Sequence, residues 1–257
     1  MTTTRDAFLG GRIVIEQPAD GYRAAMDPVL LAAAVPVVKD RGRAAGGPVL
    51  DLGCGVGTAM FCYGARVAHA DLVGLERDPA MAAIASRNAA ANGMDGRCRV
   101  LTGDLLSPPT ELPCGTFAQA MANPPYHLIG TDASPHAGRD TANREGEARL
   151  SDWIDCLLAA LAPKGGLTLI HRADRLSEIL ALLHGRAGDI RILPLWPRAG
   201  VPAKRVIVHA RKGVRGMDCL LPGLFLHGTG EERYTMEARA VLRDGASLLP
   251  DDRLGGA

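Results

Sequence analysis

Short apolar runs alternate along the middle of the chain with longer segments whose apolar residues recur every three to four positions. Pro48–Leu52 (PVLDL) has the continuous apolar character of a buried strand and leads through a glycine turn into a helix running to about Ala70. Asp71–Glu76 predicts a second strand. Pro79–Asn92 predicts a helix, with proline in its first turn, an alanine-rich body and Gly93 as its stop. Cys98–Thr102 and Phe117–Ala122 predict the third and fourth strands. In Glu145–Leu161, Leu150, Trp153, Ile154, Leu157, Leu158 and Leu161 fall on one helical face, and Pro163 with Gly165-Gly166 ends the element. Leu167–His171 follows as a fifth strand and Asp174–His184 as a helix. Ile190–Leu195 and Lys204–Ala210 are separated only by a Pro/Gly loop, which predicts an antiparallel hairpin.

Repeated strand–helix alternation demands parallel crossovers. The expected fold is α/β: a doubly wound, Rossmann-like, seven-stranded mixed sheet whose last two strands are the antiparallel hairpin, with ligands at the carboxyl ends of its strands. Residues 48–213 are expected to form this core. Residues 1–47 are expected to be an accessory segment, and 214–257 an appendage with an amphipathic helix near Met236–Arg243.

Composition sharpens this only at the margins. With 257 residues, 47% hydrophobic and 22% charged, the chain can bury a sizeable core; at 4% aromatics that core is built from Ala, Leu, Val and Ile. No apolar run reaches the ~18 residues of a membrane span, and MTTTRDAFLGG lacks the apolar stretch of a signal peptide. The six cysteines form no CxxC and no Cys/His cluster at metal spacing. They are expected to be buried, reduced thiols of a cytoplasmic protein, with no metal. The net charge of +1 excludes a polyelectrolyte tail.

The first candidate chemistry is Asp51-Leu-Gly53-Cys54-Gly55-Val-Gly57-Thr58, directly after a strand and opening a helix. Glycines at such a turn admit a ligand close to the backbone, and the helix N-terminus favours an acceptor group. A dinucleotide fingerprint reads G-x-G-x-x-G. Here the third glycine comes one residue early and an acid precedes the loop, an arrangement that suits the ammonium of S-adenosyl-L-methionine and repels a pyrophosphate. Glu76 ends the second strand, placed to accept from both ribose hydroxyls; Asp104 follows the third strand, placed to accept from an adenine amino group. Arg77 and Leu105, next to these acids, complete the candidate cofactor set.

The fourth strand ends in Asn123-Pro124-Pro125-Tyr126. A delocalised amino or amide nitrogen is a poor nucleophile. The Asn123 side-chain oxygen and the Pro124 carbonyl can hold its two N–H bonds so that its lone pair faces the methyl carbon, in a loop that consecutive prolines stiffen. Tyr126 can stack on a planar base or amide.

DLGCGVGT, Glu76 and NPPY, in this order, resemble the amino-directed class I methyltransferases, whose members act on adenine N6 in DNA and RNA, guanine N2 in rRNA, or protein glutamine. A closer resemblance is to the bacterial tRNA(Val) anticodon-loop adenine N6-methyltransferases. It rests on Tyr22-Arg23-Ala-Ala-Met26-Asp27-Pro-Val-Leu30-Leu31 before the core and Arg139-Asp-Thr-Ala142 after NPPY, and runs over most of residues 8–212. In place of the family's frequent Gly-Thr before Asp27 stands Ala25-Met26, and His127 follows Tyr126. The resemblance implies that Arg23 and Asp27 help the N-terminal segment close the cofactor pocket, and that Tyr126, His127 and Arg139 meet the substrate.

Ile190–Met217 holds seven basic residues and no acid, so the rest of the chain carries a net −6. That suits a face tracking RNA phosphates, tRNA included, and equally an edge hairpin whose charges deter aggregation. His171, ending the fifth strand, is expected to be a structural histidine with its hydrogen bonds satisfied. Glutamine N5-methylation of a protein, guanine N2-methylation of rRNA and a non-catalytic binding module remain as alternatives.

Overall fold

A computed structural model describes residues 2–20, 23–37, 47–126, 148–228 and 232–249. Its centre is a sheet built on β3 (Val49–Leu52), with β4 (Leu72–Glu76) and β5 (Cys98–Thr102) laid parallel on one side. On the other side run β6 (Phe117–Ala122) and β7 (Leu161–Arg172), also parallel, and then the antiparallel pair β9 (Arg205–Lys212) and β8 (Ala187–Trp196). The strand order therefore reverses at β3, the switch point at which open α/β sheets bind their ligands.

Two apolar clusters cover the two faces. One gathers helix α1 (Met26–Ala34) and helix α2 (Thr58–Arg66), with Leu30, Leu31, Met60 and Phe61 fully buried. The other gathers helix α4 (Leu150–Ala160) and helix α5 (Leu176–Leu183), with Leu150, Ile154, Leu157 and Ile179 fully buried. Helix α3 (Pro79–Ala91) has Asp78 as N-cap, its carboxylate accepting from Ala80 N–H, with proline in the first turn.

Among the described residues the sheet holds nine strands, the expected seven and two more. Two short strands, β10 (Cys219–Leu220) and β11 (Leu224–Phe225), run parallel to β8 and cover its otherwise open edge. Pro222-Gly223 divides the apolar run LLPGLFL between them, because proline donates no ladder bond and Gly223 has φ +86. A separate hairpin, β1 (Thr3–Phe8) and β2 (Ile13–Pro18), lies against α3. Asn88 on α3 and Asn92, which caps its C-terminus one turn on, bond the open edge of β2: each amide accepts from and donates to the backbone of Glu16 or Val14, at 2.8–2.9 Å. Helix α6 (Met236–Asp244), capped by the Thr235 hydroxyl, packs Ala238 and Val241 into the α1/α2 cluster.

Other departures from expectation are at element ends. Helix α2 stops at Arg66, because its guanidinium turns to the carbonyls of Ala32 and Val35 and β-branched Val67 leaves helical geometry. Helix α4 begins at Leu150, where Asp152 accepts from Arg149 N–H at 2.7 Å, and β7 starts directly after it at Leu161, six residues early. A single 3-10 turn, Ala173–Arg175, precedes α5. Cys54, Cys62 and Cys156 are buried and Cys98 half-buried, whereas Cys114 and Cys219 are exposed, because they lie in surface segments and not on packed faces. No helix among the described residues is long and apolar enough to cross a membrane, and no group of three potential metal ligands occurs among them.

Candidate active site

The register brings the sequence candidates together at one edge of the sheet. Leu52 is flanked by Leu75 and Ala122, so the loop after β3 lies between Glu76 and Asn123. Gly53, Gly55 and Gly57 all adopt positive φ. At Gly53 a Cβ would come 2.4 Å from the Trp153 ring, and at Gly57, which caps α2, 2.2 Å from Phe61. Only glycine fits at either place. At Gly55 a Cβ would meet nothing within 4 Å, so this side of the loop is open.

Glu76 spans that opening. One carboxylate oxygen accepts from Gly55 N–H and the other from Asp78 N–H, each at 2.8 Å. Each oxygen keeps a lone pair, so the carboxylate that fixes the loop can also receive two hydroxyls. Asp51 is buried and accepts from Met60 N–H at 3.1 Å. Burial pushes its carboxyl up to about 7, against the pull of that N–H and with the Glu76 charge adding to the rise. An ammonium group beside Asp51 would restore its charge. The Thr58 hydroxyl and the Trp153 indole N–H are buried and find no partner among the described residues. Asp104 begins a turn, accepting from Leu106 N–H at 3.0 Å, and its other oxygen lies 4.0 Å from Arg77. Leu105 lines an apolar cavity of about 300 Å³ against α4, with Leu112 and Cys156. Open loop, acid pair and orphaned donors together fit a ligand that carries both an ammonium group and a ribose, such as S-adenosylmethionine.

The NPPY side is differently arranged. The Tyr126 hydroxyl lies 2.6 Å from Asn123 Oδ1 and 2.7 Å from Asp27 Oδ2. The Arg205 guanidinium stands 4.3 Å from the centroid of the Tyr126 ring and donates to the same Asp27 oxygen at 3.2 Å. His171 meets the ring edge-on, centroids 5.4 Å apart. Tyr126 is only 8% exposed. Asp27 thus reaches the NPPY end of the site, while Arg23 bonds Asp6 of the N-terminal hairpin. His127 and Arg139 lie outside the described residues.

The structure corrects the reading of His171. It is fully buried, and neither ring nitrogen has a partner among the described residues; burial first, then the Arg175 and Arg205 charges, lowers its pKa to about 4. Sequence reasoning misses the roles of Arg205 and Trp153. Arg205 is one of seven basic residues in its stretch, and only the pairing of Arg172 with Arg205 reveals that it alone of that tally sits over Tyr126. Trp153 is the one aromatic on an otherwise aliphatic helix face, a signal available in the sequence.

A methyltransferase-domain family matches residues 49–133. A tRNA1(Val) (adenine(37)-N6)-methyltransferase of Porphyromonas gingivalis is 30% identical over 197 residues, covering 74% of this chain and 76% of that protein. An enzyme of the same name from Actinobacillus succinogenes is 26% identical over 244 residues, covering 93% and 96%. Among solved structures, an Agrobacterium tumefaciens protein described as a predicted O-methyltransferase superposes with a TM-score of 0.70 at 27% identity, covering 88% of this chain and all of that one. Fold, glycine loop and NPPY edge define a class I methyltransferase whose cofactor is S-adenosylmethionine. Within that class, the chain belongs to the family that includes the bacterial tRNA1(Val) adenine-N6-methyltransferases.

Proposed function

We propose that the enzyme methylates N6 of an adenine in RNA, most specifically in the anticodon loop of a tRNA. The observation that carries the proposal is the Asn123 side-chain oxygen at the end of β6, one residue beyond the pair Leu52–Ala122 and so beside the cofactor loop. When bound, S-adenosylmethionine supplies a methyl group whose leaving group is already in place, so neither a metal nor a strong base is needed. Asn123 Oδ1 and the Pro124 carbonyl accept from the two N–H bonds of the amino group, which turns its lone pair toward the methyl carbon. A new C–N bond forms as the C–S bond breaks, and the nitrogen then loses one proton to water. Pro125 stiffens the loop, and Tyr126 leaves Asn123 to stack on the base, flipped out of its own strand.

On the donor side, Asp51 and Glu76 take the ammonium and the ribose. Gly53, Cys54, Gly55, Gly57 and Thr58 form the backbone cradle, and Arg77, Asp104 and Leu105 border the adenine. Residues 1–47, with Arg23 and Asp27, close this pocket over the core of 48–213. His127 and Arg139, outside the described residues, are proposed as further substrate contacts on the strength of the family resemblance alone.

The relatives support adenine as the target, and a Caenorhabditis elegans rRNA N6-adenosine methyltransferase is also 35% identical over 135 residues, 52% of this chain. An amide oxygen holds an N–H well but is too weak a base to take a hydroxyl proton, which favours nitrogen over oxygen as the acceptor. The test is transfer of labelled methyl to hypomethylated total tRNA, followed by nucleoside mass spectrometry. N6-methyladenosine formed by the wild type and not by Asn123→Ala supports the proposal. Label in a protein fraction and none in RNA would replace it with glutamine methylation.

A further inference from the structure

The basic stretch 190–217 is a single charge run in sequence but divides in space. Register with β7 puts Arg205 at the active edge beside Arg172, and Arg211 at the opposite edge beside Gly166. At that far edge Arg191, Arg211 and Lys212 are used internally, while Arg215 is exposed. Asp189 lies 3.5 Å from Arg191 and 3.9 Å from Arg211, and Lys212 Nζ donates to Leu161 O at 2.7 Å. At the active edge Arg198 and Lys204 are exposed and make no ion pair among the described residues.

Aromatic rings lie on the same side of this division. Phe225 pairs in register with Trp196 and stacks on it, centroids 6.2 Å apart at 27°, while remaining 44% exposed. Trp196 is held in place: its indole N–H donates to Pro222 O at 3.2 Å, and a Cβ at Gly223 would come 2.5 Å from the indole nitrogen. His227 stacks on Tyr234 at 5.3 Å and 20°, with the exposed Arg233 guanidinium 5.2 Å from the Tyr234 centroid. The Thr235 hydroxyl ties the second pair to the first, donating to Phe225 O at 2.7 Å. Accessible, fixed rings flanked by exposed cations are the chemistry that binds single-stranded nucleic acid, rings against bases and cations against phosphates. From β9, which carries Arg205 over Tyr126, the edge carrying Phe225 is two strand spacings away, roughly 10 Å.

We propose that Trp196, Phe225 and Tyr234, with Arg198, Lys204 and Arg233, form a docking platform for the unpaired RNA nucleotides that flank the target base. The proposal rests on the RNA reading above and gives the C-terminal appendage a role, since that segment carries half of the platform and pins Trp196.

The platform is tested with the full chain, a fluorescein-labelled anticodon stem-loop RNA and anisotropy titrations at two salt concentrations. Phe225→Ala with Tyr234→Ala is expected to raise the RNA Kd about tenfold or more. Arg198→Glu with Lys204→Glu is expected to do the same and to flatten the salt dependence. Arg215→Glu, an exposed charge at the far edge, should stay within about twofold of wild type. S-adenosylmethionine affinity, unchanged in every variant, confirms folding, and the surface charge pair keeps the test decisive should the aromatic pair fail to fold. Wild-type RNA affinity in the charge variant, or an equal loss in Arg215→Glu, would overturn the platform. So would a dimer that dissociates in Phe225→Ala, which would make this face a self-association surface. Methyl transfer by the wild type is read separately: transfer to RNA with unchanged binding in the platform variants refutes the platform alone, whereas no transfer to any RNA refutes the proposed function.

Discussion

The two halves of the active site differ in what their polar groups are doing. On the donor side Glu76 is braced by two backbone N–H groups and still has lone pairs to offer, the Gly55 face is open, and Thr58 Oγ1 has no partner among the described residues. On the acceptor side Asn123 Oδ1, the atom proposed to hold the target nitrogen, lies 2.6 Å from the Tyr126 hydroxyl, which shares its one proton between it and Asp27 Oδ2 at 2.7 Å, with Arg205 over the ring and His171 at its edge. With the roles proposed above, cofactor binding needs little rearrangement, whereas substrate binding exchanges one hydrogen bond for another before chemistry.

The sharpest way to separate the halves is Asn123→Ala. Turnover should fall about a thousandfold, since positioning supplies much of the rate, while the cofactor Kd measured by calorimetry stays within about twofold. Loss of both in a folded variant would merge the halves again. Next in size is the contrast between two changes at Tyr126. Tyr126→Ala removes the stacking ring and should cost about a hundredfold in kcat/KM. Tyr126→Phe keeps the ring and removes only the hydroxyl that covers Asn123, so it should stay within about tenfold of wild type. Equal damage from both would mean that the hydroxyl is needed in the reaction itself.

The donor half should show its own pH signature. With the Asp51 carboxyl raised to about 7 by burial, acidification below that value protonates it and removes the charge proposed to face the ammonium. Cofactor Kd should then rise by up to about tenfold per pH unit below 7, and Asp51→Asn should bind more weakly with a flat profile. The smallest effect belongs to His171. The folded chain keeps it neutral down to about pH 4, against an ordinary value of 6.5, so the unfolded chain binds the proton first. Stability is fully present above 6.5 and is lost as pH falls toward 4. At pH 5.5 His171→Phe, which keeps an aromatic edge against Tyr126, should recover about 1 kcal/mol in urea unfolding.

Legibility in the sequence followed the same division. Strands Cys98–Thr102 and Phe117–Ala122 have the bounds their apolar runs predict, and the glycine loop lies where its spacing puts it, because local backbone demands set both. What depended on distant partners was not legible. Nothing near Asn88 and Asn92 in an alanine-rich helix says that they hold the edge of a strand more than 70 residues earlier. The seven charges of 190–217 could not be apportioned until register separated Arg205 from Arg211. The NPPY motif presents Asn123 and Tyr126 as a pair of candidate substrate contacts. That they first bond each other is a side-chain choice made by Asp27 and Arg205, drawn from two other elements.

The central claim is that the donor side is preformed and that the substrate, not the cofactor, uncovers Asn123. Fluorine NMR of the enzyme labelled with 3-fluorotyrosine tests it directly, because the chain has only four tyrosines and Tyr126→Phe assigns the resonance. Saturating S-adenosylmethionine should leave the Tyr126 signal in place, and an RNA that the enzyme methylates should then shift it. A signal that moves fully with cofactor alone, or stays fixed while that RNA is bound, would contradict the account.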